Sequence, residues 1–491
     1  MTLLATALPA GLRSALFTLV ISFVLTTPAL AATPEAAPTP EPFAERLHAE
    51  TNVAGGLTAD EAARRTEASS GEVAARDAEI RAAAAAVDQA LVAFFPRLGG
   101  VARYTRYSSI EAPVLGTLVA ADAPAGPLPA GTPLVNVPIR FPVVLDATTF
   151  QASLSLPISD YVFRLGQQHA AAVKSEAAAK LSAEAARRKA RADARVLYYE
   201  WARAKLSRVV AEAAVAQSNA HLEDVRKAFE AGSSSRADVL RVEAQLAAAD
   251  QVAVRARTLT AALERRLRTV MHAAPSDKGS FAIGEPVDTN FVVSGPSRDF
   301  DRLAAEAEEA RPEVRALDAG LAGLGEQASA TRGAAFPTLA VIGEVTDANP
   351  NLRYMPPPDR FQTTWSVTAQ LAWSPNDAFA ASAAARAVAA RREALAGQRV
   401  SLVDGLRSEV AAALQATGDA AGAQKNAARA VQAAEESYRV RRSLFQNGRA
   451  TSVELTDAET ELTRARLDLV AARIASRVAD VQLRHATGSD E

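Results

Sequence analysis

Two short elements place charged side chains just beyond a chain reversal. Phe229-x-x-Gly232 is followed by Asp238, and Phe445-x-x-Gly448 by Glu454 and then Asp457. Asp238 and Glu454 each stand six residues after their glycine (238 − 232 and 454 − 448). Two chemistries suit a carboxylate there. At a helix start it accepts hydrogen bonds from unsatisfied backbone N–H groups and opposes the positive end of the helix dipole. Converging on a narrow passage from several copies, it would attract cations, and the carboxylates would repel one another until a donor bridged them. Asp457 lies a full turn beyond Glu454 on the same helical face, where capping explains it less well. Arg449, directly after Gly448, is a candidate bridge. Arg241 stands where the first element corresponds to Asp457 (457 − 241 = 216). That reversal of charge makes it a candidate partner for Asp457 of a neighbouring helix. Gly232 and Gly448 read as turn formers, and Phe229 and Phe445 as packing residues at the turn.

Other chemistries find no support. His48, His169, His221, His272 and His485 are scattered without metal-ligand spacing. There is no phosphate-binding glycine loop and no Gly-x-Ser-x-Gly elbow. Absence of cysteine excludes disulfides, thiolate zinc sites, a cysteine nucleophile and a lipid-modified N-terminal cysteine. Net charge is −2 with mixed signs, which offers no basic surface for nucleic acid. The reading is a protein that is not an enzyme and uses no cofactor or metal.

The elements that position the tips are read from composition and repetition. Of 491 residues, 49% are hydrophobic but only 5% aromatic, and alanine dominates. Such a chain suits long helices packed through small side chains. Residues 1–31 read as a secretory signal, with Arg13, the apolar run Ala15 to Leu25 and the cleavage site Ala29-Leu30-Ala31. An uncleaved anchor is the competing reading, disfavoured by the Pro/Ala-rich linker expected over 32–56. After the signal no apolar run is long enough for a membrane-spanning helix. A β-barrel, whose strands alternate, is not excluded by that.

The chain repeats itself. Glu72-Val73 and Phe95-Pro96-x-Leu98 match Glu313-Val314 and Phe336-Pro337-x-Leu339 at an offset of 241 (313 − 72). Leu156 and Ser159 match Leu371 and Ser374 at 215 (371 − 156). Phe229, Gly232, Glu243 and Leu246 match Phe445, Gly448, Glu459 and Leu462 at 216 (445 − 229). The change of offset places an insertion in the first half between 99 and 153. The first repeat is expected over 57–270 and the second over 301–487, with a connection at 271–300. Each contains a helix (Leu57 to Ala93; Arg302 to Ala335), two strands and a long helical hairpin. Between Gln167 and Ala231 there is neither glycine nor proline, enough for a helix of about 98 Å. The return helix is expected from Arg236 to Ala274. In the second repeat Asp377 to Asn447 and Ser452 to Thr487 form the hairpin. Gly397, Gly405, Gly418 and Gly422 predict a less regular helix there.

Strands are expected at about 96–108 and 150–158, and at 337–347 and 362–373. Trp365, Val367, Ala369, Leu371 and Trp373 alternate with Thr364, Ser366, Thr368 and Gln370. Trp365 and Trp373 stand roughly 26 Å apart along a strand, the spacing of two membrane interfaces. A soluble sandwich face would alternate identically. Four strands cannot close a barrel of useful bore, and open edges cannot sit in lipid. Three chains would supply twelve strands and an open lumen. The Pro/Gly-rich stretch 109–149 is expected to be an extended loop at the strand tips.

Taken together, these features resemble the TolC family of outer-membrane efflux and type I secretion channels, over about Leu57 to Thr487. The resemblance is carried by Leu57-Thr58-x-x-Glu61-Ala62, by Ala310-Arg311-Pro312-Glu313-Val314 with Phe336-Pro337-x-Leu339, and by Leu154-x-Leu156-Pro157-Ile158-Ser159-Asp160. The repeated Phe-x-x-Gly element with downstream acids is its most specific part. The resemblance implies a mainly α fold with a small β part, assembled as a homotrimer. That trimer would have a 12-stranded β-barrel in outer-membrane lipid and a 12-helix α-barrel in the periplasm, with 109–149 extracellular. It implies a passive exit duct, docked at its glycine turns to a periplasmic adaptor and an inner-membrane pump of RND, ABC or MFS type. It also carries the acidic constriction to Asp457 first and Glu454 second. The rival reading is a soluble periplasmic coiled-coil scaffold or adaptor.

Overall fold

The structure is a computed structural model. It describes residues 43–111, 114–121, 126–127, 129–140, 143–273, 279–292, 299–355 and 357–489. The expected signal segment, most of the Pro/Ala-rich linker's first half, and Ala274 with Pro275 lie outside the described residues.

Each repeat opens with two helices rather than the single one expected. The first has α2 (Ala59–Ser69) and α3 (Gly71–Val92); the second has α7 (Phe300–Ala310) and α8 (Pro312–Gly333). The breaks fall at equivalent places, Ser70 and Arg311, and both residues are extended. Ser70 caps α3 by accepting from Val73 N–H. Pro312 fits the first position of α8 and disfavours helix in Arg311 before it. Each break turns the chain, so α2 and α7 pack at mid-height while α3 and α8 run on to the sheet.

The hairpins are α5 (Leu165–Glu230, 66 residues) with α6 (Arg236–Val270), and α9 (Pro375–Gln446, 72 residues) with α10 (Ser452–Thr487). Helix α9 runs unbroken despite its four glycines. Its buried stripe is Val403, Leu406, Val410, Ala413, Ala420, Gln424, Ala427, Val431 and Ala434. Those steps of three, four and seven form a coiled-coil seam, and every glycine lies off it. A glycine off the seam costs about 1 kcal/mol in propensity but removes no packing.

Near the sheet, α3, α5, α8 and α9 lie side by side in that order; toward the tips the order is α6, α5, α10, α9. Helices α5 and α9 are continuous, while α6 leads into α3 and α10 into α8. Ser69 Oγ reaches the carbonyl of Val270 at the end of α6 (3.3 Å). Arg311 is buried, donates to His485 O near the end of α10 (2.6 Å), and pairs with Glu313 (3.0 Å).

Four strands form an antiparallel sheet in the order β1 (Arg97–Arg106), β4 (Asp146–Pro157), β5 (Thr338–Asn349), β6 (Gln362–Ala372). A short helix, α4 (Ile158–Phe163), links β4 to α5. Register puts Leu98 opposite Leu154, Ala152 opposite Val345, and Val345 opposite Trp365. Leucine, valine and tryptophan therefore gather on one face, and Ser153, Ser155, Glu344 and Ser366 on the other. The sheet does not close on itself: β1 and β6 are its free edges.

The 109–149 stretch is not simply an extended loop. It carries β2 (Val114–Ala121) and β3 (Leu134–Arg140), paired antiparallel as a sheet of their own. Runs of leucine and valine between the prolines suffice for two strands, and Pro138 is tolerated because an edge strand needs no donor on its free side. Strand β4 also begins earlier than expected, at Asp146.

The main core lies at mid-height. Trp201, Tyr198 and Leu197 of α5 pack with Leu267 of α6 and Ile474 of α10. The described parts of the 32–56 linker and the 271–300 connection both enter this core. Helix α1 (Phe43–Ala49) contributes Leu47, and the 279–292 segment contributes Ile283 and Val287. Leu57 bridges Ile283 in parallel. Gly56 and Gly284 allow this crossing, since a Cβ on Gly284 would lie only 2.4 Å from Gly56 O.

Candidate functional site: the hairpin tips and the outward sheet face

Both hairpins turn by the same two devices. Gly232 (φ +74°) and Gly448 (φ +67°) adopt the left-handed conformation that lets a helix end without a Cβ clash. Gly232 N–H donates to Phe229 O (3.0 Å) and Ser233 N–H to Ala228 O (2.8 Å). Gly448 N–H donates to Phe445 O (2.9 Å) and Arg449 N–H to Leu444 O (2.8 Å). This is the Schellman pattern, and it satisfies the last carbonyls of α5 and α9.

Three residues on, each return helix opens with a capping box. Asp238 N–H donates to Ser235 Oγ, and Asp238 accepts from Ser235 N–H (3.1 Å). Glu454 N–H donates to Thr451 Oγ1, and Glu454 accepts from Thr451 N–H (2.8 Å). The Ser235 hydroxyl, then its backbone N–H, holds the Asp238 carboxyl below its ordinary range. The Thr451 backbone N–H, then its hydroxyl, does the same for Glu454. Both carboxylates thus have defined structural work within one chain.

The remaining charged groups stand apart. Asp457 is exposed, and among the described residues it has no hydrogen-bond or ion-pair partner. The Arg449 side chain is likewise exposed and unpaired. Arg241 lies 3.8 Å from Asp238 of its own helix. A single chain therefore offers neither the Arg449 bridge nor the Arg241–Asp457 pair. The phenylalanines differ: Phe445 packs against Leu222, Val225 and Val242 of the first hairpin, while Phe229 is exposed.

A buried polar group just above the tips was not legible in the sequence. His221 of α5 and Glu459 of α10 are each 3% exposed, with His221 Nδ1 3.1 Å from Glu459 Oε2. Ser452 Oγ lies 3.3 Å from His221 Nε2, and Phe445 meets the imidazole edge-on. The only sequence signal was that Glu459 repeats Glu243. Among the described residues no His, Asp and Glu group could hold a metal ion.

At the other end, Trp365 and Trp373 are 73% and 59% exposed, on the same face as Leu98, Val367 and Leu371, which are also exposed. Trp373 Nε1 donates to Ala335 O (3.2 Å). The tryptophans do not enter a dry core. No described helix is long and apolar enough to cross a membrane.

An exposed apolar sheet face, two free sheet edges and a four-helix layer whose unbroken members run about 100 Å are parts that suit a channel subunit. The family model of outer membrane efflux proteins matches residues 63–271 and 303–489, and the chain belongs to that family. The two matched segments follow the duplication. The chain is an efflux channel protein rather than an enzyme.

Among solved structures, the open state of the Neisseria gonorrhoeae MtrE outer membrane channel matches with 17% identity. Its TM-score is 0.70, over 88% of each chain. The Campylobacter jejuni CmeC outer membrane channel matches with 14% identity and a TM-score of 0.68, over 94% of each. A structure of CusC, described for its folding and transmembrane channel formation, matches with 15% identity and a TM-score of 0.69. It is covered to 99%, against 94% of this chain. These likenesses concern the fold. No curated protein matches the chain significantly in sequence.

Proposed function

We propose that three copies form a passive exit duct of a tripartite efflux pump or type I secretion system, in the outer membrane of a Gram-negative cell. One observation carries this reading: both layers of the protomer stop at free edges in the same way. The sheet ends at β1 and β6, and the helical layer at α3 or α6 and at α9. Unpaired strand edges cannot face lipid, so β1 of one copy pairs with β6 of the next. Three copies give twelve strands and twelve helices. The outward leucines, valines, Trp365 and Trp373 then face lipid, and the tips lie at the far periplasmic end.

There the turns at Gly232 and Gly448 dock a periplasmic adaptor that joins the duct to an inner-membrane pump. Asp457 is the first candidate for the constriction, because it alone of the three tip carboxylates is unengaged. Glu454 and Asp238 follow, with Arg449 and Arg241 as donors from adjoining copies.

Light scattering of the detergent-purified protein is expected to read three chains, and planar bilayers to show ion conductance. A single chain without conductance, or recovery from the soluble periplasmic fraction without detergent, would sink the reading. Asp457→Ala is expected to raise single-channel conductance or weaken block by multivalent cations. No change in either removes Asp457 from the constriction and leaves the duct standing.

A further inference from the structure

We propose that the apolar face of the β2–β3 hairpin docks on the β5–β6 turn of a neighbouring copy at the outer rim. This rests on the trimeric reading above. The hairpin is inserted beyond Arg106 and Asp146, the last pair of β1 with β4, so it stands at the end of the sheet remote from the helices. The β5–β6 turn lies at the same end, because Thr148 of β4 pairs with Asn349.

One hairpin face is wholly apolar. Register aligns Leu118 with Val137 and Ala120 with Val135, and Ile139 follows on the same side. Leu118, Val135, Val137 and Ile139 are all exposed. Continuous exposed apolar surface of this kind marks an interaction site.

Lipid is not its cover. Tyr104 Oη donates to Asp146 (2.7 Å), and Arg106 pairs with the same carboxylate. These groups end the apolar band of the sheet, and the hairpin lies beyond them.

A second copy fits. The hairpin follows β1, one free edge, and the β5–β6 turn leads into β6, the other. The turn presents Leu352 and Met355, 79% and 82% exposed. Closing β1 on the β6 of the next copy brings hairpin and turn together at every seam. The contact is head-to-tail, the kind that closes into a ring.

The chain's lack of cysteine makes the test direct. The double variants Leu118→Cys/Met355→Cys and Val137→Cys/Leu352→Cys are oxidised in detergent and run without reductant. Covalent two-chain and three-chain species are expected in at least one double variant and in none of the single variants. Three chains by light scattering with neither pair cross-linked overturns the docking and leaves the duct intact. Self-linkage of the Leu118→Cys single variant sets hairpin against hairpin and overturns it too. A single chain by light scattering sinks the trimer itself.

Discussion

Glu243 and Glu459 hold the same place in the two hairpins, yet their surroundings are opposite. Glu243 is only partly buried and pairs with the exposed Arg226 across its own hairpin (2.7 Å). Glu459 is buried and meets His221 of the other hairpin. The cause is position in the layer. Helix α6 packs along its length against α5 alone and meets α10 only locally, as where Gln245 Nε2 donates to Thr460 Oγ1 (3.2 Å), whereas α10 is held between α5 and α9. Duplication kept the backbone devices, Schellman end and capping box, in both copies. It changed the side chains where the two copies acquired different neighbours.

That contrast can be broken most forcefully at the buried site. His221→Leu leaves Glu459 without its partner in a dry interface, a loss of about 2–3 kcal/mol. Arg226→Leu removes an exposed pair worth under about 1 kcal/mol. Thermal unfolding in detergent should show a large drop for the first and little for the second; equal drops would erase the distinction.

Substitutions at the shared devices should instead act alike in both hairpins. Gly232→Ala and Gly448→Ala each force a Cβ into the left-handed region, costing about 1–2 kcal/mol. A difference between them larger than that cost would show that the tips are not equivalent.

The smallest effects concern the capping boxes, where Ser235→Ala and Thr451→Ala should each cost about 1 kcal/mol. The carboxylates of Asp238 and Glu454 are depressed from ordinary values of 3.8 and 4.5. Their contribution is therefore complete above those values and lost as pH falls through the lower values of the folded protein. The stability gap between the native protein and either variant should narrow on acidification; a gap that widens contradicts the capping role.

Much of this architecture was legible because proline and glycine punctuate it at repeated intervals. Phe95-Pro96 and Phe336-Pro337 mark the entry to β1 and β5, and α10 begins and ends where expected. Other features were hidden for physical reasons. The single helix expected over Arg302 to Ala335 passed over the break at Arg311 although Pro312 follows it, and Ser70, the counterpart of Arg311, is an ordinary helix cap that reads equally well inside a helix. The β2–β3 hairpin was masked by prolines, which edge strands tolerate. Helix α1 is too short to show a period in an alanine-rich background. His221 and Glu459 lie 238 residues apart, so only the packing of one hairpin on the other brings them together. At the candidate site the turns and carboxylates were readable, whereas the difference between Phe229 and Phe445 was not.

Two of the four struts in each protomer are spliced rather than continuous, and this bears on how a load would travel along it. A twist applied at the tips passes through α5 and α9 by an unbroken ladder of backbone hydrogen bonds. Through α10 and α8 it must cross a butt joint, where one guanidinium, that of Arg311, holds the carbonyl end of the lower rod against the amide end of the upper. The compliance of the protomer is thus concentrated at mid-height, beside the core built on Trp201 and Tyr198, rather than spread along its length.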